Sequence, residues 1–70
     1  MAVLKTRMHE LRKEHHMQQA ELAALVGVRR ETIGNLENGK YNPSLKLAMD
    51  IAKVFNTTVE AVFRFEEEEE

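Results

Sequence analysis

Arg29, Arg30, Glu31 and Asn35 lie in one short stretch of the 70-residue chain, and their side chains are of the types that can read the edges of paired bases. A guanidinium such as that of Arg30 donates two parallel hydrogen bonds to O6 and N7 of guanine, and a carboxamide such as that of Asn35 bridges N6 and N7 of adenine. Each such pair contributes about 1–3 kcal/mol of discrimination. Positions 31 and 35 are four apart and so share one face of any helix that carries them. Glu31 keeps two roles open, because phosphates repel an unpaired carboxylate: it accepts from N4 of cytosine, or it steadies Arg30 or another nearby cation. The bland alternative is that Arg29-Arg30 is only a solvated surface.

Such a reading face needs a platform, and the segment from Gln19 to Asn38 has the pattern of one. Apolar Leu22, Val26, Val28, Ile33 and Leu36 recur at helical spacing, small Ala23 sits where two helices would touch, and Gly27 stands where the chain must turn through positive φ. Two short helices crossing at a steep angle then hold Arg29, Arg30, Glu31, Gly34 and Asn35 outward, which is the pattern of a helix-turn-helix. The second helix is expected from Gln18 to Val26 and the third from Arg29 to Glu37, with Asn38-Gly39 ending it. A first, amphipathic helix is expected over residues 5 to 15, with Met8, Leu11 and His15 on its apolar side and a stop at His15-His16. Asn42-Pro43-Ser44 opens a fourth helix whose buried face is Leu45, Ala48, Ile51, Ala52 and Phe55, and Asn56 closes it. Thr57 or Thr58 caps a brief fifth helix over Val59 and Val62. Phe63-Arg64-Phe65 alternates as a short strand whose one available partner is Ala2-Val3-Leu4. Met8, Met17, Leu45, Ile51 and Phe55 are the further core candidates.

The formal net charge of −2 misleads, because five of the twelve acidic residues form the run from Glu66 to Glu70. Setting that run aside leaves ten basic and seven acidic residues, a body of +3 with Arg29, Arg30, Lys40 and Lys46 in or just after the third helix. One domain is expected over residues 1–65, followed by an acidic, disordered tail over 66–70. That tail either solvates the protein or competes with DNA for the basic face. The absence of cysteine removes disulfides and thiolate metal sites and suits a reducing cytoplasm. No apolar run approaches the ~20 residues that span a bilayer, so no membrane role is expected. His9, His15 and His16 lack acidic or cysteine ligands at matching spacing and read as solvated or capping residues, not a metal site. No nucleophile-base pair, phosphate loop, cofactor site or small-molecule site is evident, which argues against an enzyme.

Residues 17–45, M-Q-Q-A-E-L-A-A-L-V-G-V-R-R-E-T-I-G-N-L-E-N-G-K-Y-N-P-S-L, resemble the Cro and lambda-type repressor family of helix-turn-helix regulators. Q-x-E-L-A, the G-V turn, T-I, L-E-N-G-K and the proline-serine helix start occur together in order, and the likeness extends over residues 3–65. The resemblance implies a mainly α, five-helix domain that binds double-stranded DNA as a homodimer, with the third helix in the major groove. By position, it implies base contacts from Arg30, Glu31 and Asn35, with Arg29 at the entry. It implies phosphate contacts from Gln18 and Gln19 at the start of the second helix and from Asn38, Lys40 and Tyr41 in the following loop. Gln19 should also brace the third helix, and Arg12 and Glu37 match a pair that forms an internal salt bridge in relatives. Three departures stand out: Gln18 and Arg29 replace the usual hydroxyl caps, His16 stands where relatives have a left-handed glycine, and Gly34 lies within the third helix.

A small homodimeric repressor on a pseudo-palindromic operator is the expected function, and an antitoxin or adaptor whose helix-turn-helix chiefly binds protein is the alternative. A core of this size usually supplies only about 3–5 kcal/mol, so a second subunit is a natural reinforcement. Val54, Phe55, Phe63 and Phe65 are the candidate dimer surface, although the same residues could fill the monomer's own core.

Overall fold

A computed structural model describes residues 1–68. In chain order the elements are β1 (Ala2–Thr6), α1 (Met8–Glu14), α2 (Gln19–Val26), α3 (Arg30–Glu37), α4 (Leu45–Val54), α5 (Val59–Val62) and β2 (Phe63–Glu67). The fold is mainly helical, with the two terminal strands paired antiparallel in the register Leu4↔Phe65, Lys5↔Arg64 and Thr6↔Phe63. Each strand supplies the other's backbone partners, which neither end could find alone. The Arg7 N–H then donates to the Val62 carbonyl at 2.9 Å, fastening the start of α1 to the end of α5.

Local chemistry sets the helix ends. The Ser44 hydroxyl accepts from the Leu47 N–H at 3.1 Å, and the Thr58 hydroxyl accepts from the Ala61 N–H at 3.1 Å, capping α4 and α5. Past the C-terminal ends, His16 (φ 52°), Gly27 (φ 74°) and Asn56 (φ 54°) all adopt the left-handed conformation. His16 tolerates it because its N–H and that of Met17 donate back to Lys13 and Arg12 at 3.1 and 2.8 Å. α3 carries no side-chain cap, whereas at α2 the Glu21 carboxylate accepts from the Gln18 N–H at 3.2 Å.

The core gathers Met8, Leu11, Leu22, Ile33, Leu36, Ile51, Phe55 and Val62 from the helices with Leu4 and Phe63 from the strands, and the small Ala23, Ala48 and Ala52 are buried among them. Among the described residues no helix is long and apolar enough to cross a membrane.

Four expectations change. The first helix begins at Met8 and not at residue 5, because the backbones of Lys5 and Thr6 are committed to the β ladder. Leu45, expected in the core, is 74% exposed: in the first turn of α4 it rims a groove beside Pro43, Val59 and Phe65. Phe55 and Phe63, offered as dimer surface, are buried in the monomer core, while Val54 is half-buried and Phe65 remains 58% exposed. The boundary drawn after residue 65 falls inside β2, since Glu66 and Glu67 pair with Val3 and Ala2. Cations offset their charge there: Arg64 meets Glu66 at 2.7 Å, and the N-terminal amine meets Glu67 at 3.1 Å. Glu69 and Glu70 of the expected tail lie outside the described residues.

Candidate nucleic-acid interface

α2 ends where Gly27 and Val28 both donate to the Ala23 carbonyl, and the extended Arg29 then swings the chain into α3. The crossing is held from within by Leu22, Ile33 and Leu36, all fully buried, and by Ala23, whose small side chain lets the helices approach. Burying Ile33 and Leu36 forces the opposite side of α3 into solvent, and Arg30, Glu31 and Asn35 are exposed there. Arg29 and Asn38 are exposed at the two ends of the same helix. Gln18 and Gln19 stand at the start of α2 beside it, and Lys40 and Tyr41 are exposed in the loop that follows. Lys46, counted with the basic residues near α3, is instead paired with Asp50 at 2.7 Å.

A chain of side-chain contacts runs inward from this surface. Arg30 Nη1 donates to Gln19 Oε1 at 3.0 Å, and Gln19 Nε2 donates to Glu37 Oε1 at 3.1 Å. Glu37 is clamped by Arg12, whose Nε reaches Oε2 at 2.5 Å and whose Nη2 reaches Oε1 at 3.1 Å. Arg12 Nη1 also donates to the Met17 carbonyl at 3.0 Å, so this almost fully buried guanidinium is well supplied with partners. The pair therefore locks three places together: α1, the loop before α2, and the last residue of α3. Such a buried pair defines geometry more than it adds net stability.

Sequence reasoning missed two contributors. His9 Nδ1 lies 3.1 Å from Arg12 Nη2, an i,i+3 contact visible only once Arg12 is known to turn inward. Gly39 (φ 69°) brings the loop after α3 so close to β1 that a Cβ there would meet the Leu4 carbonyl oxygen at 2.7 Å. The terminal sheet thereby sets the path of the loop that carries Lys40 and Tyr41. His15 packs edge-on against Phe55, with ring centroids 5.2 Å apart, and its Nδ1 lies 2.9 Å from the Leu11 carbonyl oxygen. The arrangement is a ridge of exposed donors and cations on a two-helix mount.

Comparison with known proteins agrees with that geometry. A family model described as helix-turn-helix matches residues 8–62. An uncharacterized HTH-type transcriptional regulator of Archaeoglobus fulgidus is 61% identical over 66 residues, covering 94% of this chain and 93% of the relative. The uncharacterized HTH-type transcriptional regulator YgzD of Bacillus subtilis is 43% identical, covering 93% of this chain and 98% of the relative. Among solved structures, the restriction-modification controller protein C.AhdI from Aeromonas hydrophila superposes with a TM-score of 0.72 at 31% identity, covering 79% of this chain and 83% of that one.

Proposed function

Because the chain belongs to the helix-turn-helix family of Cro and lambda-repressor-like transcriptional regulators, a DNA-binding family and not an enzymatic one, we propose that it is a homodimeric, cytoplasmic repressor of transcription that reads a pseudo-palindromic operator with α3. The observation that carries this reading is the one-sided exposure of Arg30, Glu31 and Asn35 on a helix whose opposite face is fully buried. In this reading α3 enters the major groove, Arg30 and Asn35 contact base edges, and Arg29 and Glu31 flank them. Gln18, Gln19, Asn38, Lys40 and Tyr41 contact the phosphates, which orient the protein without carrying sequence information.

Two copies meeting about a two-fold axis place their α3 helices in successive major grooves, with half-sites about 10 bp, or 34 Å, apart. The dimer surface proposed is the exposed apolar face of Leu45, Met49 and Phe65. Leu45 and Phe65 line one groove, and the neighbouring Lys46 and Asp50 neutralise each other, so a second copy meets no uncompensated charge from that pair.

Selection of bound sequences from a random duplex pool, run with the wild type and with Arg30→Ala, tests the proposal. The expected result is an enriched, symmetric site for the wild type and lost preference at one symmetric pair of positions for the variant. A wild type with no salt-sensitive affinity for any duplex would end it.

A further inference from the structure

Gly27, Gly34 and Gly39 are the chain's three glycines, and the fold itself accounts for only two of them. Gly27 and Gly39 hold φ of 74° and 69°, and a Cβ at Gly39 would strike the Leu4 carbonyl oxygen. Gly34 has no such reason. It sits inside α3 with an ordinary helical backbone, and the nearest atoms to an added Cβ are Nε2 and Oε1 of Gln19, both at 3.8 Å, an unstrained contact. Glycine there weakens the helix relative to alanine through the extra backbone freedom of the unfolded chain. Among the described residues, no close contact at that position calls for glycine.

The position is informative. Gly34 lies one turn after Arg30 and one turn before Asn38, half-buried and away from the core residues Ile33 and Leu36, and the Gln19 carboxamide forms the adjoining wall. The missing side chain leaves an open place beside the Gln19 carboxamide, on the helix that also carries exposed Arg30, Glu31 and Asn35. We infer that Gly34 marks the closest approach of the α3 main chain to duplex DNA, so that its lack of a side chain serves the bound groove edge and not the fold. This rests on the DNA-reading role of α3 proposed above, and it adds a specificity-determining position that carries no donor or acceptor of its own on a side chain. A methyl group there would hold α3 away from the groove and lengthen the bonds from Arg30 and Asn35 together.

Gly34→Ala and Gly34→Leu, compared with the wild type by thermal unfolding and by fluorescence anisotropy on the selected operator duplex, separate the two demands. Alanine is expected to raise the unfolding midpoint by about 4–8 °C while lowering operator affinity about tenfold or more. Leucine, a helix former second to alanine, should bind more weakly still. An alanine variant that binds as tightly as the wild type, or one that unfolds at a lower temperature, would overturn the inference. Failure of the wild type to bind any duplex would instead remove the DNA-reading role on which it stands, so the two failures are distinguishable.

Discussion

The carboxamide of Gln19 joins Arg30 to the interior: its oxygen accepts from Arg30 Nη1 at 3.0 Å while its nitrogen donates to Glu37 Oε1 at 3.1 Å. Arg30 is thus restrained before any ligand arrives, by a residue at the start of the neighbouring helix. Pre-positioning a long side chain lowers the rotamer entropy lost on binding, which is about 0.5–1.5 kcal/mol for a flexible residue.

Replacing Gln19 with alanine should therefore affect binding more than folding. The domain should stay folded, because Arg12 still pairs with Glu37. Operator affinity should fall about tenfold, equivalent to about 1.4 kcal/mol, as Arg30 is freed and a phosphate contact is lost. Paired anisotropy and thermal melts read both quantities, and unchanged affinity would contradict the bracing role.

Arg12→Met has the opposite profile. It leaves the Glu37 side chain, 8% exposed, without its guanidinium, and breaking a buried pair from one side costs about 3–5 kcal/mol. That is the whole stability expected of so small a core, so the variant should be largely unfolded by circular dichroism at 25 °C. Adding Glu37→Leu should recover most of the loss. A single variant as stable as the wild type in urea would show that the pair does not organise the fold.

Gly39→Ala tests the junction between the sheet and the loop after α3. A positive φ and a Cβ 2.7 Å from the Leu4 carbonyl oxygen together should cost about 1–3 kcal/mol, visible as a lower unfolding midpoint. A midpoint equal to that of the wild type would mean that the loop can move off β1 freely.

Lys40→Ala should weaken binding to all duplexes alike and reduce the slope of log affinity against log salt by about one, leaving the selected sequence unchanged. An altered sequence preference would move Lys40 from the phosphates to the bases.

Leu45→Lys probes the proposed dimer face at a residue the fold does not use, since Leu45 is 74% exposed. The variant should remain folded, sediment as a monomer where the wild type is a dimer, and lose cooperative occupation of paired half-sites. A wild type that is already monomeric at micromolar concentration would refute the face.

Much of this molecule is legible in order of residues alone. The helical periodicities, the stops at His15-His16 and Asn56, the helix start at Asn42-Pro43-Ser44 and a cap at Thr57 or Thr58 all depend on neighbours within one or two turns, so the local pattern suffices to place them. The outward set Arg30, Glu31 and Asn35 follows from the same periodicity, because Ile33 and Leu36 can only point the other way.

The pairing of the two ends was legible too, but the extent of contact between distant segments was not. Leu45 and Phe55 lie on one apparent stripe of α4, yet one is exposed and the other buried, because the body that covers the stripe stops short of the helix's first turn. The strand boundaries at Thr6 and Glu67 come from mutual pairing across the chain's length, not from the propensity of either end. Periodicity tells which side of a helix is apolar, but only packing decides how far along the helix another element reaches to cover it. Hence the order of residues determined the two-helix mount, its Gly27 joint and its exposed polar face, and tertiary structure alone decided that Arg30 is tied to Gln19, that Gly39 is required against β1, and where apolar surface is left exposed.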